Sequence, residues 1–454
     1  MVQEKADVVI CGAGIAGVSA AYYLTVKHGV GDVLLVDERS PLTLTSDKST
    51  EAYRNWWPGP GDEMVRFMNR SIDLLEALAV ASDNRFGLNR RGYAFFTADP
   101  ATARRYQEQG EEISDLGAGP LRVHPGGHSY SLSPGEGYTG QPTGADLVLD
   151  VDLIRKHFPY INEEAIALLH PRRCGWLSAQ QLGMYLLQEA QAHGARFHSG
   201  RVEDVMVAQG QVEGVQVDGE TVATGNFVNA AGPLLAEVGK MVGVELPVFN
   251  ELHGKISFDD EKGIVPRDAP LLIWSDPVRL VWSEAERAEL VADPETRWMV
   301  ETFPAGVHFR PEGGAGSKTL LALWTYDVHK MEPVWPPTFE PFYPEVVLRG
   351  LARLAPALAT YIRRPRNLYV DGGYYCKTRE NRPLICPLPV DGAYVIGALS
   401  GYGIMASQAA GELLAAYVAG SDRPDYAAAF HLSRYEDPRY QALLADWDSG
   451  AGQL

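Results

Sequence analysis

Apolar residues near the N-terminus fall in two blocks separated by a helical stretch. Val8, Val9, Ile10 and Cys11 lead into Gly12-Ala13-Gly14-Ile15-Ala16-Gly17, Val18 to Val26 carries helical spacing, and Val33-Leu34-Leu35-Val36 ends on Asp37. Short apolar runs bounded by glycine predict buried strands, so the block predicts a strand, a helix and a second strand. Each glycine has its own job: Gly12 permits a tight turn, Gly14 lets backbone approach a pyrophosphate, and Gly17 lets the helix lie against the strand. Asp37, 20 residues past Gly17, is placed to accept a hydrogen bond from a ribose hydroxyl. The pattern is that of a dinucleotide-binding unit.

Further along, Val65, Met68, Ile72, Leu75 and Leu78 or Ala79 share one stripe of 62–81, which predicts an amphipathic helix with its methionines in the core. Residues 91–96 predict a strand, and 119–146, rich in Gly, Pro and Ser without periodicity, predict loop. The α/β pattern returns with a helix over 178–193, a short strand at 196–198 and a β-meander through 202–207, 212–217 and 221–223. Phe227-Val228 then runs into the small-residue turn Asn229-Ala230-Ala231-Gly232-Pro233. Residues 249–345 are rich in Trp, Pro and short strands, with a helical patch at 283–291, and the prolines of 332–344 exclude regular helix there. Apolar runs at 368–375, 382–385 and 393–399 precede the turn Ser400-Gly401-Tyr402-Gly403 and a helix over about 404–419. No internal repeat is present, and the expected class is α/β, α+β overall.

A chain of 454 residues is too long for one simple core and has room for two closely packed domains. Its net charge of −18 argues against nucleic acid or an anionic membrane surface as a partner, since both would repel it. Glu4 and Asp7 flank the N-terminal apolar stretch where a signal peptide would carry positive charge, and no run approaches the roughly 20 apolar residues that span a bilayer. The four cysteines, Cys11, Cys174, Cys376 and Cys386, are scattered without a CxxC pair, and a reducing cytoplasm is the expected location.

Four motifs in order, Gly12 to Gly17, Val228 to Pro233, Arg382-Pro383-Leu384-Ile385 and Gly397 to Met405, resemble the glycine oxidase, sarcosine oxidase and D-amino-acid oxidase superfamily of FAD enzymes. The resemblance implies a Rossmann-like FAD domain built discontinuously from 1–84, 150–240 and 365–454, with a mixed or antiparallel substrate domain from 85–149 and 241–364. It implies cofactor contacts at Gly12, Gly14, Ile15, Ala16, Gly17, Asp37, Glu38, Arg39, Ser46, Ser49, Thr50, Val202, Ala230, Ala231, Gly232, Gly373, Gly401, Tyr402, Gly403, Ile404 and Met405. Physically, a glycine-rich turn before a helix offers N–H groups and a positive helix end, which suits the pyrimidine oxygen of a reduced flavin, although ordinary strand-to-helix turns look the same. The loop Thr45 to Arg54 is similar to one that touches the flavin and ends in an arginine gripping the substrate carboxylate. Arg54 either serves that role, for which a guanidinium fork is suited, or stacks on the neighbouring Trp56 and Trp57.

The chain departs from the sarcosine oxidases in three places: Glu51 stands where they carry a second arginine, Met405 where they carry a lysine, and Leu320 to Trp324 lacks their oxygen-activating lysine. A weak carboxylate grip and slow reaction with oxygen are therefore expected. Gly373, not Cys376, falls at the register of covalent flavin attachment, so FAD is expected to bind non-covalently, with Cys376 a small buried hydrophobe. His253 either orients substrate or acts as a base, or is a satisfied structural histidine. Trp56, Trp57, Trp274, Trp324 and Tyr375 either wall an aromatic pocket or belong to the core. The resemblance implies FAD-dependent oxidation of a C–N bond in an amino acid or N-alkyl amino acid, by hydride transfer to flavin and hydrolysis of the imine. Its partners would be a small amine or amino acid and an electron acceptor: oxygen, a quinone or an electron-transfer protein. A 2-hydroxy acid dehydrogenase and a non-catalytic flavoprotein assembly factor are the alternatives.

Overall fold

The computed structural model describes residues 4–127, 129–445 and 447. Its centre is a six-stranded sheet in the order Ala195–Ser199, Val33–Asp37, Val8–Cys11, Phe227–Asn229, Ala393–Gly397 and Leu384–Pro387. All pairings are parallel except the last. Parallel strands are buried on both faces, and Val8, Val9, Ile10, Leu35, Val36, Phe227, Val228, Val395 and Ile396 are accordingly all at 1% exposure or less. Helices Ile15–Tyr22, Glu63–Ala81, Ala179–Ala192 and Gly403–Val418 pack on one another over one face. The other face carries the small sheet of Glu4–Lys5, Glu220–Ala223, Gln211–Val217 and Val202–Ala208, whose valines share a core with Val9, Leu34 and Val36.

A nine-stranded mixed sheet lies beside this unit in the order Arg366–Lys377, Phe249–Asp259, Thr319–Leu323, His308–Pro311, Leu271–Trp274, Tyr93–Thr97, Ala167–Pro171, Ala145–Val148 and Leu121–His124. Trp274, Phe258, Phe309 and helix Tyr343–Leu354 fill the core behind it. The sheet draws on residues beyond 85–149 and 241–364, since Ala167–Pro171 is one of its strands and Arg366–Lys377 one of its edges.

Three features differ from the sequence expectation. The stretch 119–146 is not all loop: Leu121–His124 and Ala145–Val148 pair in parallel at the edge of the large sheet, strands too short to show a period. Asp99 caps helix Pro100–Ile113 by accepting from the amides of Ala101 and Thr102, but the helix buries only Thr102, Tyr106, Gly110 and Ile113, too thin a stripe to read. Helix Tyr343–Leu354 follows directly on the proline-rich stretch because Pro344 sits in the first turn, where its missing N–H costs nothing.

Candidate active site

The strand Val8–Cys11 ends at Gly12, whose φ is +108° and where a Cβ would overlap the Ala230 carbonyl oxygen. Gly17 is equally constrained, because a Cβ there would overlap the Gly12 carbonyl as the helix crosses the strand. Side chains fix the turn from outside: Asp37 Oδ2 accepts from the Ala13 amide at 2.8 Å, and Ser46 Oγ accepts from the Ile15 amide at 2.9 Å. The result is a backbone cradle at a helix N-terminus, the feature that suits an anionic pyrophosphate.

This cradle opens into a cleft of about 880 Å³ that gathers most of the expected cofactor residues. Gly12, Gly14, Ile15, Ala16, Asp37, Ser46, Ser49, Ala230, Ala231, Gly232, Gly401, Gly403 and Ile404 line it, joined by Tyr374, Tyr375 and Cys376. Eight expected contacts lie elsewhere. Gly17 acts one layer back, Glu38 lies at the surface 3.7 Å from Arg201, and Arg39 gives its amide to Asp37 and its guanidinium to the ring of Trp335, 4.8 Å away. Val202 is buried in the core of the small sheet. Gly373 lines an adjoining groove with Lys48, while Thr50, Tyr402 and Met405 line the cavity described next. Cys376 is buried with Cys386 and Leu384, and burial pushes its thiol up to about 12, so little thiolate is present to attack a flavin.

A second cavity, of about 530 Å³, shares Tyr375, Ser400 and Gly401 with the cleft, so the two adjoin. Arg54 enters it from the short strand Ala52–Arg54, which pairs with Cys174–Trp176. Its guanidinium is buried, 5.1 Å from the ring centroid of Trp57 and 5.9 Å from that of Tyr93. Tyr402 crosses edge-on to Trp57 and donates its hydroxyl to the Asn381 carbonyl at 2.7 Å. The large sheet contributes Tyr93, His253, His308 and Leu323. Of the aromatic candidates, Tyr375 walls this cavity and Trp57 backs Arg54, whereas Trp56 and Trp274 are core.

His253 is a partnered histidine. Its Nε2 lies 3.2 Å from Glu251 Oε2, its Nδ1 lies 3.4 Å from Thr325 Oγ1, and its ring stacks on Tyr375 with centroids 4.1 Å apart. Lys377 Nζ donates to the same Glu251 Oε2 at 3.0 Å. The carboxylate sits well below the usual range, at about 2: burial opposes this, but the bonds and charges of His253 and Lys377 prevail. Burial lowers His253 itself, so the ring is neutral at pH 7 with its N–H on Glu251. His308, which sequence reasoning missed, donates from Nδ1 to the Gly306 carbonyl at 2.8 Å, and burial, with the nearby charges of Arg54 and His253, lowers it to about 4. Nothing in the local sequence of His308 marks it; only its pairing opposite Leu323 brings it to the cavity.

Glu51 does not join Arg54. It is half-buried against the N-terminus of helix Ala179–Ala192, where its carboxylate accepts from the Ala179 amide at 3.3 Å, and desolvation raises it to about 7. Leu320 to Trp324 carries no lysine, but the next strand does. Lys255, in register with Leu323, is a half-buried lysine that donates to the Asp47 carbonyl at 2.7 Å. The alternation Glu251, His253, Lys255 along one strand, all on one face, was the signal for it.

The profile of the family described as FAD dependent oxidoreductase matches residues 7–417. Among curated proteins, the chain is 25% identical over 274 residues to mitochondrial dimethylglycine dehydrogenase of Homo sapiens, covering 60% of this chain and 28% of that one. The chain therefore spans less than a third of that relative's length. It is 24% identical over 446 residues to FAD-dependent oxidoreductase domain-containing protein 1 of Bos taurus, covering 91% of this chain and 81% of the other. Among solved structures, L-proline dehydrogenase from P. horikoshii superposes with a TM-score of 0.73 at 18% identity, covering 96% of this chain and 99% of that one. Among the described residues, no helix is long and apolar enough to cross a membrane.

Proposed function

The chain belongs to the FAD-dependent oxidoreductase family, and from that premise we propose that it oxidises the C–N bond of an amino acid or N-alkyl amino acid. FAD, when bound, supplies the two-electron acceptor for this chemistry. The glycine cradle, Asp37 and Ser46 hold its dinucleotide portion, and Tyr375 with Ser400 to Gly403 forms the boundary between its cleft and the substrate cavity.

The observation that carries the reading is the buried Arg54 guanidinium in a cavity adjoining the cofactor cleft. A planar fork of N–H donors between aromatic walls binds a carboxylate bidentately, and little water is present to compete. Neutral His253 and His308 add no positive charge to repel the amine end of the same molecule. His253, held by Glu251 and Thr325 and stacked on Tyr375, forms a fixed, uncharged wall against which the amine end packs. An amine that binds in its neutral form needs no protein base. The relatives fit this reading by name, since dimethylglycine and L-proline are both N-substituted amino acids.

Anaerobic titration of the FAD-loaded protein tests it. N,N-dimethylglycine, sarcosine or L-proline bleaches the flavin absorbance near 450 nm, and a 2-hydroxy acid such as lactate does not. Bleaching by the hydroxy acid alone, or by none of these compounds or other amino acids, would overturn the proposal.

A further inference from the structure

A third cavity, of about 670 Å³, lies behind His253. It shares His253 and Thr325 with the substrate cavity, and otherwise its walls come from strand ends and the proline-rich segment that the active site does not use. Trp324, Tyr326, Phe339 and Tyr343 supply aromatic rings, with Tyr326 and Tyr343 stacked 5.8 Å apart and Phe339 6.1 Å from Tyr343. Glu340 lines the same space, and its buried Oε2 has no hydrogen-bond partner; neither has the buried Tyr326 hydroxyl. Asp327 and His329 stand more exposed, 4.0 Å apart, among the lining residues.

A buried carboxylate oxygen and a phenol oxygen without partners cost free energy unless a ligand satisfies them. The carboxylate is an acceptor that carries negative charge, the phenol hydroxyl can donate or accept, and both sit among π faces. That combination disfavours an anion and a neutral hydrocarbon alike, and favours a cation wrapped in apolar groups.

We infer that this cavity is a binding site for an alkylated ammonium group, held by the Glu340 carboxylate and the surrounding aromatic rings, and that it serves as an antechamber to the substrate cavity across His253 and Thr325. The inference rests on the proposed C–N oxidation and deepens it, because it assigns the substrate an N-alkylated, cationic form on arrival. An amine that waits as an ammonium beside Glu340 exchanges a charged environment for one walled by neutral histidines, and there the neutral form is preferred. The proton is lost to solvent on the Asp327 and His329 side, so the step needs no further reactant.

The test uses the intact FAD-loaded protein and isothermal titration calorimetry with three probes that flavin cannot oxidise. Tetramethylammonium carries both charge and methyl groups, tert-butanol has similar bulk without charge, and potassium has charge without methyl groups. Tetramethylammonium should bind at least tenfold more tightly than either of the others, which is about 1.4 kcal/mol. Glu340→Gln should weaken it at least fivefold and Tyr326→Phe about twofold, while Arg54→Met leaves it unchanged. Equal binding of tert-butanol or potassium, or tetramethylammonium affinity indifferent to Glu340→Gln, would overturn the inference. In turnover, Glu340→Gln should raise KM for a tertiary amine substrate with kcat retained, a split that a general loss of folding would not give. Calorimetry needs no turnover, so a protein that binds tetramethylammonium as described but whose flavin no amine bleaches would refute the oxidation reading and leave this site standing.

Discussion

The cofactor cleft is built largely of backbone, and the substrate cavity of side chains. In the cleft, Gly12 and Gly17 let main chain approach main chain, and the groups on offer are amides at helix ends. In the cavity, Arg54, His253, His308, Tyr93 and Tyr375 arrive from separate strands that are distant in sequence. Main-chain recognition demands particular residues at fixed local spacing, whereas side-chain recognition demands only that the fold bring the right groups together. The cleft should therefore be intolerant of added bulk and indifferent to charge, and the cavity the reverse.

The largest expected effect follows from bulk. Gly17→Val forces a side chain into the Gly12 carbonyl, where only backbone movement could make room, and should leave the protein largely unfolded and colourless. Gly14→Val is the sharper probe. The nearest atom to a Cβ there is Ser46 Oγ at 3.3 Å, so this variant should fold with a melting temperature near wild type yet carry no FAD. A yellow Gly14→Val protein would break the assignment of the cradle to the dinucleotide.

Charge dependence should appear in the cavity. His308 titrates near 4 in the folded state and near its ordinary value of about 6.5 in the unfolded chain. The folded pKa is the lower one, so this contribution is complete above about pH 6.5 and is lost as pH falls towards 4, where the unfolded chain takes up a proton that the folded state refuses. The full loss is about 3 kcal/mol. Urea unfolding at pH 7 and pH 4.5 should show the decline, and His308→Gln should flatten it. An unchanged slope would show that His308 is not the group responsible.

The same contrast explains what was legible in advance. The glycine turn, Asp37 and the turn at Ser400 to Gly403 could be read because each motif is contiguous and its spacing is set by backbone geometry. Arg54 was found through its loop and His253 as a lone histidine, but Glu251 and Thr325, which give His253 its tautomer, were not. His308 reaches the site through cross-strand register, and a chain read in one dimension carries no record of which strands will be neighbours. Glu51 was placed in the right loop, but its backbone has φ of +55°, and its carboxylate turns to the Ala179 amide, away from Arg54.

Smaller effects complete the contrast. Acid or heat should release all the flavin into solution, because the Cys376 thiol is buried and protonated; fluorescence retained on the denatured chain would contradict this. Lys255→Met should slow reoxidation of the reduced protein in air only a few-fold, since that ammonium already holds the Asp47 carbonyl, and an artificial acceptor should remain faster than oxygen in both proteins. A drop of a hundredfold would make Lys255 the main site of oxygen activation.

The central claim is that Arg54 receives a substrate carboxylate, and a paired comparison tests it most directly. Wild type and Arg54→Met, both FAD-loaded, are assayed with N,N-dimethylglycine and with trimethylamine, its decarboxylated analogue. The account predicts that the substitution lowers kcat/KM for the amino acid by about 2 to 4 kcal/mol, mostly through KM, and leaves the amine almost unaffected, while FAD content is unchanged. Equal losses with both compounds would mean that Arg54 supports the flavin or the fold, and would contradict the account.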